Sequence, residues 1–497
     1  MSEIKNKSQY KSVFKATALF GGVQIWQILI GIVRSKLTAL ILGPTGMGIS
    51  GLYTSSTELV RSFTNLGLSA SGVKYIAEAN AGSDHHGFSR IVSIFKKLMW
   101  FTGLLGMLGV ILFSPLLSKS AFGNYSYTVP FIFLSVILLS QQLSSGYLSL
   151  LQGVRHLKPL AKASFIGSIL SLITTIPLYY LFGIKGIVPA LIIGSFTSLL
   201  LNWYFSRDIE VKKVKVTLKE TIAEGKGMIG MGLAMAFSGL LATVVAYIVR
   251  VFVANKGGTS EVGLYAAGMT IITTYVGMIF TAMGTDYFPR LSSFNHDNAK
   301  CKELVNQQSE IALLILGPVL EFFVLLAPFV IIILYSKEFL PTVLYMQWAA
   351  LGMFFKAVSW AISFLFWAKG DTKQFIINEI IANIVTLVTS VTGYWLWGLK
   401  GLGIAFVGSY VIYLLLVWLV SKRNYNFSFS SSLPIILVIH LSLTSIIFLT
   451  LYRVNGLWKY PITVLLGIIG LVYSIYELNK RLDIREFINR KIRKNDG

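Results

Sequence analysis

The sequence predicts an all-α polytopic membrane protein of about 14 transmembrane helices, arranged as two six-helix bundles in parallel repeat plus two C-terminal helices. Three observations predict it. The chain is 55% hydrophobic and only 13% charged, about half the charged share of a soluble domain. Its apolar residues come in runs of about 20, the length a helix needs to cross a bilayer. Short sequence matches recur a little over 200 residues apart, at corresponding points of the helix count.

The spans follow in order. Six lie near 14–42, 46–72, 92–117, 128–151, 160–182 and 184–206, and six more near 228–254, 262–288, 308–335, 340–368, 374–397 and 399–421. Two further spans, near 434–451 and 459–477, precede a basic tail at 478–497. The first is too long for a signal-peptide core and has no small-residue cleavage site after it, so it reads as a retained helix. The second is the most polar, with Ser55, Ser56, Thr57, Glu58, Arg61 and Asn65, and should turn one face to neighbours or a cavity. The organisation is an N-terminal bundle (1–206), a basic linker (207–227), a second bundle (228–421) and two extra helices (434–477).

Charge placement supports this count. With a cytoplasmic N-terminus, 31 Lys and Arg fall in inside segments or at the inner ends of spans, 7 in outside loops and 5 elsewhere within spans. That split obeys the positive-inside rule, and one missed span would invert every later loop. Both termini are then cytoplasmic. The net charge of +22 suits anionic lipid headgroups, and no basic patch interleaved with exposed aromatics points to nucleic acid. Outside loops are short, so no extracytoplasmic catalytic domain is expected.

Two matches carry the repeat. Gly51-Leu52-Tyr53 returns as Gly263-Leu264-Tyr265, and Gly183-Ile184-Lys185-Gly186 returns as Gly398-Leu399-Lys400-Gly401. Six spans is an even number, so the halves share orientation. Spans 13 and 14 lie outside the repeat.

Away from the inner ends, five basic side chains sit inside spans: Arg34, Lys36, Arg61, Arg250 and Lys356. Each costs about 2.5–3.5 kcal/mol at a helix centre, and such residues face a polar cavity or a partner. Cations in a membrane cavity suit an anionic substrate such as a phosphate, which points to a carrier, not an enzyme. Arg34 and Lys36 are two apart and point to different sides, so one of them can snorkel. Glu58 and Arg61 are three apart and can pair. Arg250 lies near the outer end of span 7, and Lys356 near the middle of span 10. Asp286 and Arg290, four apart, can pair at the inner end of span 8. Glu321 and Glu379 are intramembrane acids. With Asp286 and Glu58 they are candidates for ion pairing or for coupling to H⁺ or Na⁺.

At an offset of 212, position 61 maps to Thr273, so fold symmetry alone does not demand the charge. Gln141, Gln142, Gln152, Asn378 and Asn383 suit sugar hydroxyls or helix–helix bonds. Pro177, Pro189, Gly194, Pro318 and Pro328 can bend spans.

Other chemistry is not expected. Cys301 is the only cysteine, which rules out an intrachain disulfide and a cysteine zinc cluster. His85 and His86 form an isolated loop pair, and H-E-x-x-H and the P-loop motif are both absent. Gly46-x-Gly48-x-x-Gly51 and Gly225-x-Gly227-x-x-Gly230 follow no strand, so they read as tight turns and close helix packing. No cofactor and no metal are expected.

Several short stretches resemble a known family. Leu42-Gly43-Pro44-Thr45-Gly46-Met47-Gly48, Gly72-Val73-Lys74-Tyr75-Ile76-Ala77 and Leu151-Gln152-Gly153-Val154-Arg155 resemble segments of Wzx-type O-antigen flippases. Gly31-Ile32-Val33-Arg34 resembles the first-helix arginine stretch of the related peptidoglycan lipid flippases. All belong to the multidrug/oligosaccharidyl-lipid/polysaccharide exporter superfamily, and the likeness in layout covers about residues 10–480. The resemblance implies two bundles around a cavity that opens alternately to each side of the bacterial inner membrane. It implies an undecaprenyl-pyrophosphate-linked glycan as cargo in O-antigen and lipopolysaccharide biosynthesis, with membrane lipids, a polysaccharide polymerase and a chain-length regulator as partners. It makes Arg34 a cavity cation contacting pyrophosphate, and Arg61 another by helix position only. Many O-antigen flippases have 12 helices and the lipid II branch has 14, so a peptidoglycan lipid II flippase is an alternative. A multidrug cation antiporter of the same superfamily is a second, although its cationic cargo needs acidic walls.

Overall fold

The computed structural model describes residues 2–482 apart from 83 and 213, with side chains described at 23 and from 26 onward except 275 and 285. Most of the basic tail expected at 478–497 lies outside the described residues. The helices in chain order are α1 (Ser2–Thr64), α2 (Leu68–Ala81), α3 (His85–Phe122), α4 (Thr128–Gly153), α5 (Leu157–Phe182) and α6 (Ile187–Ser206). They continue as α7 (Leu218–Thr270), α8 (Met278–Ser293), α9 (Asn298–Leu334), α10 (Val343–Ala368), α11 (Thr372–Tyr425), α12 (Ser432–Arg453) and α13 (Lys459–Leu482). Among the described residues no strand occurs. Among the described residues ten helical stretches are long and apolar enough to cross a membrane, and the chain is a multi-pass membrane protein.

Four turns that the sequence placed between spans appear inside these stretches. Gly43 (φ 62°) breaks α1, Gly258 (φ 81°) breaks α7, Gly183 (φ 55°) opens the turn after α5, and Gly398 (φ 58°) breaks α11. Positive φ costs glycine little. At Gly43-Pro44 the glycine ends one helical arm, and the proline starts the next with a φ already set for it. Two of the breaks reverse the chain. A Cβ built on Gly186 would lie 2.3 Å from the Leu178 carbonyl oxygen, and one on Gly401 would lie 1.8 Å from that of Gly393. Eight residues of straight helix rise about 12 Å, so each pair meets only because the chain doubles back.

That contact sets a prediction. Gly401→Ala forces backbone apart, and overpacking costs about 1–3 kcal/mol. Gly408, on the same helix, has nothing within 4 Å of its added Cβ, and alanine there favours the helix. Thermal unfolding in detergent is expected to show a lower midpoint for Gly401→Ala and no loss for Gly408→Ala.

The repeat is plain in the backbone. The helix Thr128–Gly153 returns as Val343–Ala368, displaced by 215 residues at both ends. Positive φ recurs at the same displacement in three pairs: Gly43 and Gly258, Arg155 and Gly370, Gly183 and Gly398.

One expected span is corrected. The stretch 46–72 is not one helix: α1 ends at Thr64 and α2 starts at Leu68. The Asn65 side chain accepts from the Gly67 amide at 2.7 Å, and Leu66 and Gly67 are both left-handed. An Asx turn of this kind competes with the helical bond. The two Gly-x-Gly motifs serve packing: a Cβ on Gly48 would lie 1.7 Å from the Thr259 carbonyl oxygen.

The chain divides into two units, Met1–Gly263 with Leu334–Ser336, and Leu264–Ile333 with Lys337–Gly497. In the first, Tyr53, Phe122, Tyr127 and Phe131 form an aromatic cluster, with Phe122 and Tyr127 stacked 3.8 Å apart. Asp84 caps α3 by accepting from the His86 amide. Backbone amides of Gly87 and His86 hold its carboxyl below the usual carboxylate range. Thr217 and Glu220 make a reciprocal capping box at the start of α7. Arg90 of α3 donates to Glu220 and Glu224, tying the end of the 207–227 segment to the first unit.

In the second unit, α9 carries two polar junctions. Glu310 accepts from Ser430, Ser432 and Arg481. Glu321 meets His440 at 2.9 Å, and the other ring nitrogen of His440 meets Ser474 at 3.0 Å. These junctions fasten α12 and α13 to α9.

Candidate functional site

The first unit holds a cavity of about 420 Å³ between α1, α4, α5 and α6. Each helix contributes one face, at the spacing a helix demands. Gln27, Ile30, Gly31 and Arg34 come from α1, and Ala163, Ser164, Gly167, Ser168 and Ser171 from α5. Gly194, Ser198 and Asn202 come from α6, and Leu148 from α4. Trp26 packs edge-on against Phe165, at 6.4 Å between ring centroids, and holds α1 on α5. A Cβ at Gly31 or Gly194 would meet nothing within 4 Å, so these glycines leave open space where a side chain would fill it.

Arg34 donates from its guanidinium to Ser171 Oγ at 3.1 Å. Among the described residues it makes no ion pair, and no carboxylate lines the cavity. The fork of donors is held by a neutral hydroxyl and remains available. Guanidinium matches the two oxygens of a phosphate or carboxylate, so the arrangement suits an anion. Asn202 is buried and donates to Ser144, which also meets Ser198 at 3.0 Å. That network fixes the α4–α6 wall.

The other sequence candidates lie elsewhere. Lys36 is half-buried and does not line the cavity. Arg61 is paired with Glu58 through two bonds of 2.9 and 3.2 Å, so its charge is answered on its own helix. Arg250 is half-buried on α7, outside the cavity. Lys356, in the second unit, lies 5.4–6.0 Å from the ring centroids of Tyr410, Phe280 and Phe406, a setting that stabilises an ammonium by cation–π attraction.

Glu321 is fully buried against His440. Glu379 is half-buried, and Asp286 is exposed. Among the described residues Asp286 and Arg290 form no ion pair. Both are exposed, where such a pair gains little.

Sequence reasoning missed the serine face of α5, the α6 face and His440. The signal for the first was Ser164, Ser168 and Ser171 at helical spacing in an otherwise apolar span. For His440 it was an ionisable residue in mid-span. The 215-residue repeat maps Ser164, Ser168 and Ser171 onto Glu379, Asn383 and Thr386, and Arg34 onto Val249. The fold therefore tolerates other chemistry at these places, and the cation with hydroxyls belongs to the first unit.

Comparison with known proteins gives a consistent picture. A family described as polysaccharide biosynthesis protein matches residues 37–344. The lipid III flippase of Escherichia coli (strain K12) is 21% identical over 413 residues, covering 81% of this chain and 96% of that protein. A Shigella flexneri protein provisionally named an O-antigen transporter is 25% identical over 407 residues, covering 79% and 94%. Among solved structures, the lipid II flippase MurJ in an inward closed conformation superposes with a TM-score of 0.71 at 17% identity, over 94% of this chain and 99% of that one. That last likeness is one of fold.

Proposed function

The chain belongs to the polysaccharide biosynthesis protein family, and on that premise we propose that it is a flippase for an undecaprenyl-pyrophosphate-linked oligosaccharide. The cargo would be an O-antigen or related repeat unit, moved from the cytoplasmic to the periplasmic leaflet of the inner membrane. The observation that carries the reading is Arg34: an unpaired guanidinium in a cavity without carboxylates among the described residues. The names of the lipid III flippase and the O-antigen transporter support the class of cargo. In this reading Arg34 grips the pyrophosphate and Ser171 orients the guanidinium. The close contacts at Gly186 and Gly401 show two of the internal breaks reversing the chain; in this reading the breaks at Gly43 and Gly258 do the same, which would make 14 crossings with both termini cytoplasmic. Alternating exposure of the cavity, not bond chemistry, does the work. A polymerase and a chain-length regulator would take the delivered unit.

A cationic drug finds no countercharge in this cavity, so the antiporter reading is disfavoured. The test uses full-length protein in liposomes. Fluorescent undecaprenyl-pyrophosphate sugar should cross leaflets faster than in protein-free vesicles, and a lipophilic cation should not be moved. Transport of the cation alone would reverse the assignment.

A further inference from the structure

Beyond the anion grip, the same cavity has a second chemical character. Three of its faces carry neutral hydroxyls and amides: Ser164 and Ser168 on α5, Ser198 and Asn202 on α6, and Gln27 on α1. Among the described residues Ser164 and Gln27 have no hydrogen-bond partner. Ser168 donates only to the Phe165 carbonyl of its own helix, at 2.7 Å, and its oxygen can still accept. Gln27 stands seven residues from Arg34, about 10 Å along the helix. The polar wall therefore extends well past the reach of a phosphate held at Arg34.

A volume of about 420 Å³ falls within the range of small-molecule pockets and exceeds what a phosphate alone would fill. One end is cationic. The rest offers donors and acceptors without charge, which is what a ring bearing several hydroxyls requires. Serine and amide groups each give and take a hydrogen bond, so they can follow the alternating donors and acceptors of a sugar. A phosphate would gain nothing from acceptors such as the Gln27 and Asn202 carbonyl oxygens.

Resting on the flippase reading, we propose that this wall is a sugar subsite: Ser164, Ser168 and Gln27 hydrogen-bond the first sugar of the glycan while its phosphate is held at Arg34. The wall then sets which glycans are accepted. It acts on the glycan and not on the lipid.

The test is equilibrium binding to purified full-length protein in detergent. The probes are undecaprenyl pyrophosphate and the same lipid carrying one hexose or one N-acetylhexosamine. Wild type should bind at least one sugar-bearing lipid more tightly than the bare one. The double variant Ser164→Ala/Ser168→Ala should lose about tenfold on that lipid, the worth of two ordinary hydrogen bonds, and stay within about twofold on the bare lipid. Alanine favours the helix, and an unchanged melting temperature confirms that the fold is kept. An equal loss on all lipids, or no loss, overturns the sugar subsite while leaving the flippase reading in place. If Arg34→Ala instead binds the bare pyrophosphate lipid as wild type does, the flippase reading itself fails.

Discussion

Arg34→Ala is expected to cut the initial rate of lipid-linked glycan translocation by about a thousandfold, with protein level unchanged. In the proposed reading the variant deletes two charge-assisted hydrogen bonds to the headgroup, each worth about 1.5–3 kcal/mol. Their sum is about 4 kcal/mol, or three orders of magnitude. Arg34→Lys keeps the charge but loses the planar fork, and should retain part of the rate. The measurement is periplasmic-side appearance of the glycan in cells, or leaflet exchange in vesicles. A rate within twofold of wild type for Arg34→Ala would remove the residue from the site. Folding should not be at stake, because the side chain is exposed and answers only Ser171 among the described residues.

The second large effect concerns stability. His440→Leu is expected to destabilise the protein by about 3 kcal/mol, the loss typical when one partner of a buried pair is removed. Glu321 is fully buried, and among the described residues its Oε2 already has no hydrogen-bond partner. Without the imidazole its Oε1 loses that bond as well. The carboxyl has little room to seek another, since a Cβ on Gly470 would sit 1.8 Å from Oε2. The double variant Glu321→Leu/His440→Leu replaces both polar groups and should recover most of the loss. Thermal unfolding in detergent separates the cases. A single variant as stable as the double would contradict a paired junction. Ser474→Ala removes only one interhelical bond, about 0.6 kcal/mol in a membrane, and should barely move the midpoint.

What the sequence revealed followed from local rules. Gly43-Pro44, Gly183 and Gly398 announced turns because glycine frees the backbone for positive φ and proline restricts it, both within a few residues. The Glu58–Arg61 pair was legible because three residues apart on a helix means neighbours. Arg34 stood out because charge in hydrocarbon is costly.

What stayed hidden depends on partners far along the chain. His440 meets Glu321, 119 residues away, and no spacing rule joins them. The serine face of α5 carried no mark of its own in the sequence, because serines in a span serve interhelix bonding as readily as a cavity, and only the packing of α1, α4 and α6 around it shows the cavity it lines. The break at Asn65 was masked because the polar residues before it suited a cavity-facing helix equally well. Lys356 showed no local acid, and the aromatic rings that answer it come from α8 and α11.

Among the described residues Arg34 is balanced by a hydroxyl, not by an acid, so on the proposed reading the unloaded protein holds there a positive charge without an ion-pair partner within the bilayer. A membrane potential acts on such a charge with about 2.3 kcal/mol per 100 mV when the full field is crossed. Bacterial cytoplasm is negative, so the voltage pulls the vacant binding centre toward the inner side. A pyrophosphate diester brings about two negative charges, so cargo of the proposed kind would reverse the sign of the local charge and with it the direction of that pull. The resting potential would then favour inward return of the empty carrier and outward movement of the loaded one.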